Sequence, residues 1–259
     1  MRDLDWGYPA VTGVLPITLN NAVKIVRVLL SGGKEYVGVM RLHGDVSRDK
    51  IKSCFDMFQG EIYQKPPVRS SVKRRLRTRR IYYLELLEID GRDVLFRVGC
   101  EAGTYIRKLC YDIGEILGCG AHMKELRRTR VSTFTEDECV RVDDIFDAYM
   151  SWKESGDESM LRRIVRPMED ALTILPQVIV KDTAVEAICN GADLAVPGIV
   201  AFTGDIREGS LVAILTVKGE GVALGLAQLS AEKLLEKEKG IAVKTERVLM
   251  QPGTYPRVW

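Results

Sequence analysis

Between Ile62 and Leu84 the chain carries eight basic residues, Lys65, Arg69, Lys73, Arg74, Arg75, Arg77, Arg79 and Arg80, and no acidic one. A loop this basic can neutralise several phosphates, and the planar arginine fork can bridge phosphate oxygens or stack on bases. Pro66-Pro67 and the serines that follow favour an exposed loop over a charged helix face, so nucleic acid is the partner that fits this chemistry. A second candidate is EAGTYIRKL, residues 101–109, where a glycine and Thr-Tyr precede an arginine one turn into an expected helix. An arginine placed there can be aimed into a cleft, and paired with a carboxylate it would hold that carboxylate ionised. A third is Tyr36 in KEYVGVMRLHGDV. Taken singly, Tyr36 and Arg107 read as a half-buried strand tyrosine and an ordinary surface arginine.

Several elements must position these residues. Alternation around Tyr36, Gly38, Met40 and Leu42 predicts a strand, followed by a short helix with Ser47 as N-cap, Ile51, Phe55 and Phe58 on one face, and Gly60 as its stop. RIYYLELLEIDGRDVLFRVGC reads as two strands joined at Asp90-Gly91, a strong hairpin signal. Ile106, Leu109, Ile113 and Ile116 fall at helical spacing, so a helix opens at Gly103 or Thr104 and ends near Gly118. From Asp143 to about Leu172 the pattern is helical and acidic, broken at residues 155–157 and at Pro167; beyond it come short, glycine-separated β-rich segments that suggest a small barrel. Antiparallel strands with intervening helices make the first part an α+β domain with a mixed, largely antiparallel sheet.

Composition narrows the possibilities. With 259 residues and 46% hydrophobic content the chain can bury a real core, and two unequal domains, 1–172 and 173–259, are expected. A net charge of +2 makes no case for a polyanionic partner by its total, so that case rests on where the charges lie. The six cysteines include no CxxC pair, and His43 and His122 stand far apart in sequence, so zinc-ligand spacing is absent and no metal site or disulfide framework is expected. The amino terminus does not resemble a signal peptide, and no apolar run approaches the roughly 18 residues of a membrane span. A reduced, soluble protein of the cytoplasm is the expectation.

Together the segments VTGVLP, KEYVGVMRLHGDV, KPPVRSSVKRRLRTRR, EAGTYIRKL and GAHMKELRRTR, in that order, resemble the TruB-type pseudouridine synthases. The basic run and AHMKELRRTR resemble in particular the H/ACA, dyskerin-like branch, and residues 173–259 resemble the PUA domain of that branch. The absence of a lysine-rich carboxyl tail favours an archaeal-type protein over a nucleolar, eukaryotic one. The resemblance implies a pseudouridine synthase fold with a small C-terminal PUA β-barrel. It implies an enzyme that detaches uracil from ribose, turns it and rejoins it through carbon, with no cofactor and no metal. By similarity Tyr36 stacks on the target base, Arg107 pairs with the catalytic aspartate, and Tyr105 and Leu126 line the pocket. Lys65, Arg69, Lys73, Arg74, Arg75 and Arg77 lie in a loop that resembles the thumb that grips substrate RNA. The implied partners are an H/ACA guide RNA, substrate rRNA or tRNA, and the small H/ACA ribonucleoprotein proteins, with no membrane.

The family carries its aspartate in a GTLDPxVTG motif. Without a gap, Pro9 matches the family's proline and Tyr8 stands at the aspartate; with Trp6-Gly7-Tyr8 as an insertion, Leu4-Asp5 matches Leu-Asp. A tyrosine supplies no carboxylate. Asp5 supplies one but displaced, and misplacement by about 1 Å can cost on the order of a hundredfold in rate. The family's upstream KPxGxTS-like motif and early strand are absent here, which predicts an unpaired sheet edge. Three functions compete: a guide-directed synthase subunit, a catalytically silent RNA-binding scaffold of the same family, and a stand-alone tRNA pseudouridine synthase.

Overall fold

The structure, a computed structural model, describes residues 11–66, 73 and 75–256. The described chain forms two compact units, one of the residues up to Pro16 with Leu30–Cys139, the other of Ile17–Leu29 with the residues from Val140 onward.

In chain order, the elements up to Thr135 are β1 (Val11–Gly13), α1 (Val26–Ser31), β2 (Lys34–Leu42), α2 (Arg48–Met57), β3 (Gly60–Gln64), β4 (Arg77–Asp90), β5 (Asp93–Cys100), α3 (Ile106–Leu117), β6 (Ala121–Val131) and β7 (Phe134–Thr135). The first unit's sheet runs β1-β6-β2-β5-β4-β3, with β7 also on β6. Only β1 pairs in parallel; the other ladders described in this sheet are antiparallel. Alternation turns Met40, Leu42, Val94, Phe96, Val98 and Cys100 to one face, where they form a single core with Ile51, Cys54 and Phe55 of α2 and Ile106, Leu109, Cys110 and Ile113 of α3. Phe55 meets Phe96 edge to face at 6.4 Å between centroids.

Local chemistry explains the boundaries. Ser47 is the N-cap of α2, as expected, though its side chain makes no capping bond. That helix ends at Met57, and Gly60, at φ +96, opens β3 instead of stopping a helix. Asp90 and Asp93 pair across the β4–β5 hairpin, with Gly91 in the left-handed region that such tight turns require. The third helix ends on Gly118 in the left-handed conformation; its N-cap is Tyr105, one residue beyond the expected start. Ile116, expected on the apolar face, is exposed.

In the second unit the elements are α4 (Val142–Ser155), α5 (Ser159–Ile164), α6 (Glu169–Leu172), β8 (Gln177–Val180), α7 (Asp182–Cys189), β9 (Leu194–Ala195), β10 (Ile199–Phe202), β11 (Leu211–Thr216), β12 (Gly221–Ala227), α8 (Ala231–Glu236) and β13 (Ile241–Val248). Gly156 and Pro167 punctuate the acidic helical stretch as the sequence predicts. The short strands form a six-stranded sheet, β10-β8-β11-β12-β13-β9, around a core that includes Val178, Ile188, Leu194, Ile214, Val222 and Val243. Among the described residues no helix is long and apolar enough to cross a membrane.

Burial also sets the thiol chemistry. Cys110 is pushed from the ordinary 9.0 up to about 12 by burial. Cys100 is pushed up to about 11 by burial, offset in part by a hydrogen bond involving Thr104 and by the charge of Lys34. A raised folded-state value means the neutral thiol is favoured in the fold, so the stability tied to it is complete below about 9 and is lost as pH rises through 11 to 12. We expect a thiol reagent at pH 8 to label exposed Cys139 rapidly and to reach Cys100 and Cys110 only on unfolding. Mass spectrometry of labelled peptides reads this directly.

Candidate active site and RNA interface

The segment VTGV is held in one register. Val11, Thr12 and Gly13 lie parallel to Leu126, Arg127 and Arg128 of β6. The Val14 amide donates to the Arg128 carbonyl at 2.8 Å, and Arg128 Nε donates back to the Val14 carbonyl at 2.8 Å. Gly13 is needed here, since at φ +98 a Cβ would fall 2.1 Å from the Arg128 carbonyl oxygen.

Next to β6, strand β2 brings Tyr36 opposite Arg128 and Gly38 opposite Leu126. A Cβ at Gly38 would lie 2.8 Å from both Leu126 Cδ1 and Phe96 Cζ, so the missing side chain lets Leu126 and Phe96 close over β2. Tyr36 packs against the same core. Burial pushes its hydroxyl pKa up, the nearby Cys100 adds to this, and the charge and hydrogen bond of Arg128 offset it only in part. The ring is therefore a neutral, half-buried platform at neutral pH, suited to stacking.

Tyr105 and Arg107 enter from the start of α3. Ile106 between them is buried in the core that also holds Leu126, while Arg107 itself is exposed. Among the described residues no hydrogen bond or ion pair joins Arg107 to another side chain. Asp5 and Tyr8, the two candidates for the position opposite it, lie outside the described residues, as do Arg69 and Arg74 of the basic run.

The basic run is only partly a loop. Lys65, Lys73 and Arg75 are exposed outside any strand, but Arg77, Arg79 and Arg80 belong to β4 and pair with β3 from Gln64 to Glu61. The alternating residues of RTRRI extend the hairpin ladder beyond Ile81, which shortens the expected loop at its distal end. Arg79 lies against Glu101 at 3.6 Å, leaving Lys65, Lys73, Arg75, Arg80 and the half-buried Arg77 as described basic groups available to a polyanion.

Arg128 is the residue that sequence reasoning missed. It binds the backbone just after the expected catalytic loop and stands opposite Tyr36 on the neighbouring strand. The only signal was its position two residues after Leu126, hence on the same strand face, within a run of arginines that reads as solvated charge.

Known proteins agree with this layout. Residues 4–106 match the model of the TruB family pseudouridylate synthase N-terminal domain, 107–173 that of the tRNA pseudouridylate synthase B C-terminal domain, and 176–249 that of the PUA domain. A probable tRNA pseudouridine synthase B of Methanopyrus kandleri is 58% identical over 251 residues, covering 97% of this chain and 74% of that protein. One from Pyrococcus abyssi is 56% identical over 252 residues, covering 97% of this chain and 75% of its own length. Two solved structures superpose over 96% of this chain and 76% of theirs. One is of a Cbf5-Nop10-Gar1 complex, with a TM-score of 0.92 and 55% identity. The other is of an H/ACA ribonucleoprotein bound to a substrate RNA containing 2′-deoxyuridine, with a TM-score of 0.89 and 52% identity. With Tyr36, Leu126 and the start of α3 gathered on one core and a PUA domain following, the chain belongs to the TruB family of pseudouridine synthases, isomerases that act on uridine in RNA.

Proposed function

We propose that this chain is the synthase subunit of an H/ACA guide ribonucleoprotein, isomerising uridine in rRNA, with tRNA as a further substrate. The observation that carries the reading is the extent of likeness: 96% of the chain superposes, at 52–55% identity, on proteins of a Cbf5-Nop10-Gar1 complex and an H/ACA ribonucleoprotein. The partners are then a guide RNA, a substrate RNA and small proteins of the kinds named Nop10 and Gar1 in the first of those complexes. Residues 1–172 act as the catalytic part and 173–259 as the PUA RNA-binding part, a division supported by family matches that end at 173 and resume at 176. On this reading the protein acts in the cytoplasm of an archaeal-type cell.

In the reaction the base leaves its stack and enters a pocket where Tyr36 stacks on it and Tyr105 and Leu126 wall it. The bond from C1′ to N1 of uracil breaks, the base turns, and a bond from C1′ to C5 forms, with the hydrogen of C5 released to water as a proton and N1 taking up a proton. Where a carboxylate stands opposite it, Arg107 holds that group ionised and oriented. We infer the ungapped register, in which Tyr8 takes the aspartate's place; the chain then binds RNA well and isomerises poorly. That departure also supports the second reading, a silent scaffold.

One salt titration tests the RNA side. Filter binding of the full chain to a guide RNA annealed to its substrate should weaken on changing Arg74, Arg75 and Arg77 to alanine. The slope of log affinity against log salt should drop by roughly one unit for each phosphate no longer neutralised. The same RNA with its 3′ ACA altered should bind more weakly. An unchanged slope would remove the thumb role, and indifference to ACA would favour the stand-alone tRNA reading.

A further inference from the structure

Gln64 is 2% exposed, a level of burial that a polar side chain tolerates only with its hydrogen bonds made. Its Oε1 accepts the Tyr105 amide at 2.9 Å, and its Nε2 donates to the Tyr105 carbonyl at 3.2 Å. The side-chain amide thus pairs with one backbone residue as a neighbouring strand would. That residue is the N-cap of α3, two positions before Arg107 and itself a candidate pocket residue.

The other end of Gln64 lies at the base of the thumb. Gln64 and Arg77 form the last rung of the β3–β4 ladder, and the sequence between them is the basic segment 65–76. One buried amide therefore ties the rung from which the RNA-gripping segment springs to the turn that presents Tyr105 and Arg107. We propose that Gln64 is a positioning residue for the isomerisation, fixing the start of α3 against the thumb base so that a gripped RNA and the pocket share one frame. The proposal deepens the synthase reading and rests on it.

A glutamine suits this position for a specific reason. A glutamate would keep the acceptor for the Tyr105 amide but turn a second oxygen towards the Tyr105 carbonyl, a repulsive contact while ionised. Protonated, the same carboxyl again offers one donor and one acceptor. Methionine keeps the approximate size and removes both bonds.

The test uses the full chain assembled with guide RNA and its partner proteins, and a substrate RNA carrying 4-thiouridine at the target position. Photocrosslinking yield into the peptides holding Tyr36 and Tyr105 is measured at saturating RNA, with the dissociation constant and melting temperature recorded in parallel. We expect the unmodified chain to crosslink there, and Gln64→Met to lose at least about tenfold in yield with RNA affinity within about twofold. Gln64→Glu should lose the crosslink at pH 8 and regain much of it at pH 5, relative to the unmodified chain at each pH; this arm decides the matter even if Gln64→Met does not fold. Equal yields in all three proteins, or a loss independent of pH in Gln64→Glu, overturn the positioning role. Absence of any pocket crosslink in the unmodified chain overturns the synthase reading itself.

Discussion

Gly13→Ala is expected to detach β1 from β6 while leaving RNA affinity within about twofold. An alanine there must adopt φ +98, and its Cβ would lie 2.1 Å from the Arg128 carbonyl oxygen. The conformation alone costs of order 1–3 kcal/mol. The overlap is with backbone, which no rotamer change relieves, so the strand must move. The bonds broken are the reciprocal pair between Val14 and Arg128, and with them goes the link from the segment after residue 10 to the residue opposite Tyr36. Amide hydrogen exchange reports this at Val14, which should exchange about one to two orders of magnitude faster, while the Leu109 amide inside α3 is unchanged. Unaltered protection at Val14 would show that β6 yields without releasing β1.

Arg107→Ala should separate catalysis from stability more sharply still. Arg107 is exposed and joined to no other described side chain, so its removal should change unfolding free energy by no more than about 0.5 kcal/mol. Its proposed work begins only when a carboxylate stands opposite. In a Tyr8→Asp background, where that carboxylate is supplied, loss of the arginine should lower the rate by roughly a hundredfold to a thousandfold with RNA affinity unchanged. A comparable loss of melting temperature would instead make Arg107 a structural residue.

The elements that carry these residues were legible for definite reasons. Strand β2 announced itself by alternation at Tyr36, Gly38, Met40 and Leu42, and the β4–β5 hairpin by Asp90-Gly91. The third helix declared its end by Gly118 and its face by Ile106, Leu109 and Ile113. What was not legible depends on neighbours distant in sequence. The extension of β4 to Arg77 requires β3 as a partner, and a run of arginines gives no sign of that pairing. Arg128 matters because β1 and β2 both lie against its strand, and both are far from it along the chain. Gln64 looks like any polar residue before a loop until α3 folds back over it. Gly38 reads as a strand glycine, whereas its role is a close approach to Leu126 with Phe96, and Gly13 serves a like approach to Arg128.

The most direct measurement is tritium release from 5-tritiated uridine in a target RNA, assembled with guide RNA and partner proteins, because the hydrogen of C5 leaves only when the carbon–carbon bond to ribose forms. Four proteins suffice: the unmodified chain, Asp5→Asn, Tyr8→Phe and Tyr8→Asp. Slow release is expected from the unmodified chain, with no change on Asp5→Asn and a rise of at least about tenfold with Tyr8→Asp, which places the carboxylate where Arg107 can hold it. Rapid release from the unmodified chain, abolished by Asp5→Asn and untouched by Tyr8→Phe, would contradict this expectation and assign the carboxylate to Asp5.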